Sequence, residues 1–262
     1  MNIVSPQISP LRFMKHILTS PPILRSAYFA AIAALSLAAT PRAVAGLVHD
    51  YTFDGSYADS LGGPSLVPNG GVLGATAYTF DADQGLTLSN ALPTPGTYSI
   101  LVDFEFTPPA VFNTYRRIVD FKNRTSDSGL YDYLGALSFY NDANGPGNAI
   151  TENDPVRLVL TRDAGTQLVS GYLNGVQQFS FTDLANEAVF SGPGAIMNFF
   201  QDNTSGGGIG EAGPGVVDQI AIYDDALTGL DVAALGAIPE PGTMLFGIAA
   251  LGAALSRRIR KG

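Results

Sequence analysis

Short segments that alternate apolar and polar residues with a period of two run through the middle of the chain. Seven of them are rich in Val, Ile, Tyr, Phe and Thr: LVHDYTF, TYSILVDFEF, LGALSFY, VRLVLTRD, QLVSGYLNG, VQQFSFTD and VVDQIAIYD. Gly, Pro, Asn and Asp, which favour turns, separate them. This alternation is typical of β-strands that bury one face, so the pattern predicts an antiparallel β protein. In residues 97–106, for example, we expect one face to be buried.

The dipeptide Asn174-Gly175 makes the clearest local prediction. It supplies the two positive-φ residues of a type I′ turn, and alternation continues on both sides, so residues 166–183 should form a hairpin. The body has one good helical pattern, at residues 225–236, which Gly236 should end. Many closely spaced strands with one small helix favour a two-sheet β-sandwich.

The N-terminus has the layout of a secretory signal peptide. Basic residues precede the 13-residue apolar run AYFAAIAALSLAA, and the small residues Ala43 and Ala45 follow it. This order predicts that residues 1–45 are a signal peptide, with an N-terminal signal helix, cut after Ala45. A membrane anchor is the alternative, for which the run is short. Both Met1 and Met14 are candidate start residues.

Between its two ends the chain is strongly acidic. Six of the 14 Lys and Arg residues lie between Gly46 and Ile238, against 22 of the 23 Asp and Glu residues, an excess of about 16 negative charges. This charge argues against nucleic acid and anionic lipid as partners. The chain has no cysteine, which excludes disulfides, a thiol nucleophile and a cysteine metal site. These 193 residues suffice for one core and are too few for two.

Three longer blocks of the body follow one another in a distinctive order. They are LVHDYTFDGSYADSLG, RLVLTRDAGTQLVSGYLNGVQQFSF and GVVDQIAIYDDALTGLDVAAL. In order and spacing they resemble the concanavalin A-like, laminin-G-type jelly roll, over residues 47–235. The resemblance implies an all-β domain at residues 46–237, a two-sheet antiparallel jelly-roll sandwich with one short C-terminal helix. Pro155-Val156 stand where the family often has a tryptophan.

The C-terminal tail has three parts. Pro239-Glu240-Pro241 come first, Met244 to Leu255 form an apolar run, and a basic cluster follows at Arg257, Arg258, Arg260 and Lys261. The tail resembles a PEP-CTERM sorting signal, here residues 238–262. That resemblance implies export, an exosortase-type protease as partner, a host bacterium that makes exopolysaccharide, and a final place at the cell surface or in the extracellular matrix.

The length of the apolar run favours a transient anchor in the inner membrane. Twelve residues make about 18 Å of helix, which is short for a hydrocarbon core of about 30 Å. We expect a hydrophobic helix there, with its basic end in the cytoplasm. The prolines should keep an extended segment open to the protease. An ordinary C-terminal anchor is the alternative.

Several aspartates lie where the first and last strands should meet. Asp54 and Asp59 belong to the glycine-rich turn after the first strand, and Asp218 belongs to the last strand. Calcium takes six to eight oxygen ligands, so these three carboxylates predict a structural Ca²⁺ site at the rim of the sandwich. The alternative is that they stabilise turns through backbone hydrogen bonds. Asp224 or Asp225 is expected to cap the terminal helix.

Tyrosines are concentrated between residues 113 and 141. Tyr115, Tyr131, Tyr133 and Tyr140 should lie on loops or strand ends, where aromatic rings can stack on sugars. Aromatic residues in strands also serve as core, and the chain lacks tryptophan, the strongest sugar platform. The tyrosines therefore predict a glycan site only as one of two alternatives.

Three functional interpretations follow. The leading one is a non-enzymatic exported surface or matrix protein, because the Glu-x-Asp-x-Glu run typical of jelly-roll hydrolases is missing from the sequence. The second is a calcium-dependent, lectin-like module that binds extracellular polysaccharide. The third is a divergent polysaccharide-processing enzyme.

Overall fold

The structure is a computed structural model, and it describes residues 46–109, 114–205 and 210–236. The expected signal peptide and the C-terminal tail, with the helix predicted in each, lie outside these ranges. Within the described ranges, no helix has both the length and the apolar character needed to cross a bilayer.

The described residues form fifteen strands and one helix. The strands are β1 (Leu47–Tyr51), β2 (Val67–Asn69), β3 (Val72–Leu73), β4 (Tyr78–Phe80), β5 (Gly85–Leu88), β6 (Tyr98–Phe106), β7 (Tyr115–Asp120), β8 (Gly129–Tyr133), β9 (Ala136–Tyr140), β10 (Ala143–Asn144), β11 (Val156–Arg162), β12 (Leu168–Leu173), β13 (Val176–Thr182), β14 (Met197–Phe199) and β15 (Gly215–Tyr223). The helix α1 (Gly229–Leu235) follows β15.

The strands form two antiparallel sheets, as predicted. The first has the order β13-β12-β11-β6-β15-β4-β3, with β1 also paired to β15, and the second has the order β10-β9-β8-β7-β14-β5-β2. Non-consecutive strands such as β6 and β15 are neighbours, because the chain crosses repeatedly from one sheet to the other. The architecture is a β-sandwich with a short C-terminal helix.

The core lies between the inner faces of the sheets. On β6, Tyr98, Ile100, Val102, Phe104 and Phe106 all point into it, as the alternation predicts. The opposite sheet contributes the alternate residues of its own strands, among them Leu86, Leu130, Leu137, Phe139 and Phe199. The period of two thus determines which side chains form the core.

The outer face of β6 is buried too, which differs from the prediction of one buried face. Leu101 packs with Val159, Tyr172 and Val232 in a second apolar cluster, which α1 helps to cover. Local alternation shows that two faces differ, and the partner that covers the second one comes from more than a hundred residues further along the chain.

The predicted hairpin is present. Strands β12 and β13 pair through Leu173 and Val176, and the connecting Asn174 and Gly175 have φ of 49° and 79°. Positive φ at both positions is the requirement of the type I′ turn.

Helix α1 ends at Gly236, as expected, but its N-cap is Thr228. The Thr228 side chain accepts a bond from the Asp231 backbone N–H, and the Asp231 carboxylate accepts one from the Thr228 backbone N–H, which makes a capping box. The prediction that Asp224 or Asp225 caps the helix is wrong, because the helix starts at Gly229. Asp225 instead accepts a bond from the backbone N–H of Ala226, at 2.8 Å.

Candidate functional site

The buried side chain of Asp59 organises the turn after β1. Its carboxylate accepts hydrogen bonds from the backbone N–H groups of Asp50, Leu61 and Gly63 at 2.9–3.0 Å, and Oδ2 lies 2.6 Å from Nδ1 of His49. A Cβ atom on Gly63 would lie 2.3 Å from that Oδ2, so glycine alone fits. Burial by itself would raise the pKa of Asp59, but these hydrogen bonds outweigh it and hold the pKa below its usual value.

The other two aspartates of the calcium prediction have separate surroundings. Asp54 is exposed and accepts a bond from Thr52 Oγ1 at 2.8 Å. Asp218 lies on an irregular part of β15, and burial together with the carboxylates of Glu105 and Asp103 raises its pKa. Over the described ranges, no three His, Cys, Asp or Glu side chains are grouped to hold a metal. The structure therefore does not bring the three residues together, and calcium binding stays a prediction.

The predicted tyrosines do come together, on the outer face of the second sheet. Tyr115 of β7 pairs with Tyr133 of β8, and their rings stack with centroids 4.4 Å apart. Tyr131 and Tyr140 meet the ring of Tyr115 edge-on at 5.6 and 5.8 Å. We call these four residues the tyrosine platform. Leu130 and Phe139, which alternate with them along β8 and β9, point into the core.

The four rings differ in accessibility. Tyr131 is 0% exposed, whereas Tyr115, Tyr133 and Tyr140 are half-buried. Tyr131 was predicted among the residues that contact a glycan, and its burial corrects this: the ring packs against its neighbours and is closed to solvent. Three rings on three adjacent strands thus present partly open faces.

A buried arginine, which sequence reasoning missed, packs against the platform on the same face of the sheet. The guanidinium carbon of Arg117 lies 4.4 Å from the centroid of the Tyr131 ring. Its nitrogens donate to Asp202 at 3.1 Å and Asn203 at 2.8 Å and pair with Asp120 and Asp127 at 3.3 Å. Arg117 is 0% exposed. Alternation along β7 gives no sign that Arg117 is buried among hydrogen bonds, because Asp202 and Asn203 lie far from it in the sequence.

A second residue that sequence reasoning missed is Glu211. Burial and the nearby carboxylates of Asp127 and Asp202 raise its pKa to about 7. Its carboxylate lies near Tyr131 and Tyr115, and after burial and the neighbouring tyrosines it helps to raise the pKa of the Tyr115 hydroxyl. Glu211 therefore stands at the edge of the platform.

A cleft of about 330 Å³ adjoins the platform at Tyr140. Tyr140 forms part of its wall, together with Asp127, Ser128, Asn141, Asp142, Ala185 and Glu187. Burial, Asp183 and Glu187 raise the pKa of Asp142, so the carboxylates here repel one another. We call this the acidic cleft.

Another cleft, of about 260 Å³, lies at the rim beside Arg116. Its two carboxylates are both engaged by that arginine, Asp132 at 2.8 Å and Glu152 at 3.3 Å. This cleft therefore resembles a structural ion-pair cluster more than a set of free acid and base groups.

Comparison with known families bears on the tail. The family described as the PEP-CTERM protein-sorting motif matches residues 237–261. The chain ends in a PEP-CTERM motif. The motif implies that the protein is exported, sorted by an exosortase and extracellular, with a membrane-anchored intermediate. A search of curated proteins found no match.

Comparison with solved structures bears on the folded body. Domain 4 of AbnA, a GH43 extracellular arabinanase from Geobacillus stearothermophilus solved with arabinotriose, is 20% identical with a TM-score of 0.50, over 73% of this chain and 98% of that one. A Trypanosoma rangeli sialidase has a TM-score of 0.55 at 10% identity, over 71% of this chain and 32% of that one. The binding domain of botulinum neurotoxin serotype D has 0.51 at 11%, over 72% and 51%. At these identities the likeness shows the fold alone, and it agrees with a jelly roll.

Proposed function

We propose that the folded domain binds an extracellular polysaccharide through the tyrosine platform, without hydrolysing it, after the PEP-CTERM motif has delivered the protein to the cell surface or matrix. One observation carries the proposal: Tyr115, Tyr133 and Tyr140, from three neighbouring strands, stand together with partly open rings. Such rings pack on the apolar face of a sugar while their hydroxyls bond to its rim.

The buried residues that pack against the exposed rings of the platform strengthen this interpretation. Tyr131 and Arg117 are fully buried, and Arg117 is tied to several loops by hydrogen bonds. A ring that is already held in place loses little freedom when a ligand binds, so more of the contact energy appears as affinity. Domain 4 of AbnA, which has a similar fold, was solved with arabinotriose, and this supports a carbohydrate ligand here.

Two features favour binding over catalysis. A glycosidase needs one carboxylic acid and one carboxylate placed on either side of the scissile bond. At the rim cleft, Arg116 engages both Asp132 and Glu152, and beside the platform Glu211 is grouped with Asp127 and Asp202. We therefore propose a non-enzymatic role.

A glycan array on the full chain, purified in detergent, tests the proposal. We expect binding to at least one polysaccharide, and Tyr133→Ala or Tyr140→Ala should weaken it about tenfold, which is about 1.4 kcal/mol. Tyr57→Ala is the matched control, because Tyr57 is also half-buried but packs on Tyr78 of the first sheet. Binding that survives both platform variants, or no binding to any glycan, would refute the proposal.

Processing of the tail is tested separately. The proline-flanked Glu240 precedes an apolar run that is short for a bilayer, so we expect cleavage to remove Met244 to Gly262. Intact-mass measurement of protein from the cell surface of the host should show a chain that lacks these residues. Recovery of the full tail in that fraction would instead indicate an ordinary anchor.

A further inference from the structure

All basic side chains of the domain are used inside the fold. The sequence places only six Lys and Arg residues between Gly46 and Gly236, and the structure describes each of them. Arg116, Arg117 and Arg162 are at most 7% exposed. Arg162 bonds to Asp183, to the carbonyl of Gly96 and to Asn186, at 2.5–3.0 Å.

The three half-buried cations are occupied as well. Arg157 holds both oxygens of Asp103 and donates to the carbonyl of Leu235 at 2.8 Å. Lys122 donates to the carbonyls of Asn186 and Val189, and it also lies 4.0 Å from Glu187.

Arg124 completes the set. It donates to the carbonyl of Asp202 at 2.6 Å and to Gln201 Oε1 at 2.9 Å. An acidic sugar would therefore have to compete for these cations with partners inside the fold.

Carboxylates, in contrast, lie close to the platform. Glu211 lies beside Tyr115 and Tyr131, and the acidic cleft brings Asp127, Asp142 and Glu187 next to Tyr140. Burial, and after it the neighbouring carboxylates, raises the pKa of Glu211 and of Asp142. A positive charge placed there would relieve the repulsion between them.

We propose that the polysaccharide which binds the tyrosine platform carries free amino groups, as a de-N-acetylated hexosamine polymer does. This inference rests on the proposed function and specifies its ligand. The apolar faces of the sugar rings pack on Tyr115, Tyr133 and Tyr140, and a protonated amine donates hydrogen bonds to the carboxylates of the acidic cleft. The negative faces of the tyrosine rings add a cation–π attraction.

The same arrangement discriminates against other polymers. A uronate or sulfated glycan would bring negative charge next to these carboxylates, and like charges in contact repel one another. An N-acetylated sugar keeps the ring contacts and loses only the charge. The order of affinity should therefore be amine, then N-acetyl, then acid.

Three soluble oligomers test this order with the full chain in detergent: a glucosamine hexamer, an N-acetylglucosamine hexamer and an oligogalacturonate. At about pH 6, where an amine carries its proton, we expect the glucosamine hexamer to bind at least about tenfold more tightly than the N-acetylated one, and no binding of the galacturonate. Glu187→Gln and Asp142→Asn should each reduce that preference. Tyr133→Ala should instead weaken the binding of both the N-acetylated and the glucosamine hexamer.

Asp218→Asn is the matched control for general attraction, because it removes one exposed carboxylate from the other sheet. It should leave the preference unchanged. Equal or tighter binding of the N-acetylated hexamer, preferential binding of the galacturonate, or an equal effect of the control and cleft variants would overturn the inference while the proposed glycan binding stands. Failure of every glycan on the array would overturn both.

Discussion

At the scale of single residues, Asp59 shows how a carboxylate can serve a turn. Three backbone N–H groups and the His49 ring converge on it. Removal of this acceptor would leave the buried donors without a hydrogen bond and destabilise the folded state. The sequence predicted that Asp59 lies in a turn after the first strand, and that is correct. It did not predict the direction of the side chain, because His49 and the peptide groups are oriented by the completed fold.

The variant Asp59→Ala should therefore be strongly destabilised. Because it leaves buried donors without an acceptor, we expect the free energy of unfolding to fall by about 3 kcal/mol. Urea denaturation of the full chain in detergent measures this, with the exposed Asp54→Ala as control. The loss should be the same in calcium and in chelator; a loss seen only in calcium would point to Asp59 as a metal ligand.

Glu211 gives a prediction that depends on pH. Its pKa is raised from 4.5 to about 7 by burial and by Asp127 and Asp202, so the folded chain keeps a proton that the unfolded chain has already lost. The stabilisation from this group is complete below about pH 4.5 and disappears as the pH rises through about 7.

Glu211→Gln removes that dependence. Relative to the wild type, the variant should gain stability between pH 4.5 and about 7 and keep the gain above it. Thermal melting of both proteins at a series of pH values measures the difference. A difference in melting temperature that stays constant across this window would contradict the assigned pKa.

At the scale of secondary structure, local chemistry predicted seven of the fifteen strands and the hairpin but not the start of the helix. The β12–β13 turn depends on Asn174 and Gly175 alone, so its geometry can be read from two residues. Two acidic residues and Thr228 all precede α1 within a few positions, and all three are good N-caps. The choice among them depends on where β15 ends and how Val232 packs on the sheet, which local sequence does not contain.

The N-cap assignment predicts a difference between two neighbouring substitutions. Thr228→Ala breaks the capping box and should lower the free energy of unfolding by about 1 kcal/mol. Asp225→Ala removes a bond to Ala226 outside the helix and should cost clearly less. Urea denaturation compares them, and an equal or larger loss for Asp225→Ala would place the cap there instead.

At the scale of the whole molecule, charge divides into a buried and an exposed part. The arginines and their partners lie mostly inside, whereas many of the 22 carboxylates of the body remain at the surface. The count of charges could be read from the sequence, but not that the six cations are internally committed. That distribution leaves carboxylates in large excess among the charges that remain outside the core.

Salt should therefore stabilise the domain. The screening length falls from about 30 Å at 0.01 M to about 8 Å at 0.15 M, which weakens repulsion among surface carboxylates and leaves the buried pairs largely unaffected. We expect the melting temperature in sodium chloride to rise by a few degrees over this range.

Calcium chloride at equal ionic strength is the comparison, because screening alone gives both salts a similar effect. A melting temperature that falls with added sodium chloride would show that exposed ion pairs outweigh the repulsion. If the melting temperature rises further in calcium chloride, and Asp54→Ala or Asp218→Ala removes this extra rise, the ion site predicted from the sequence is established.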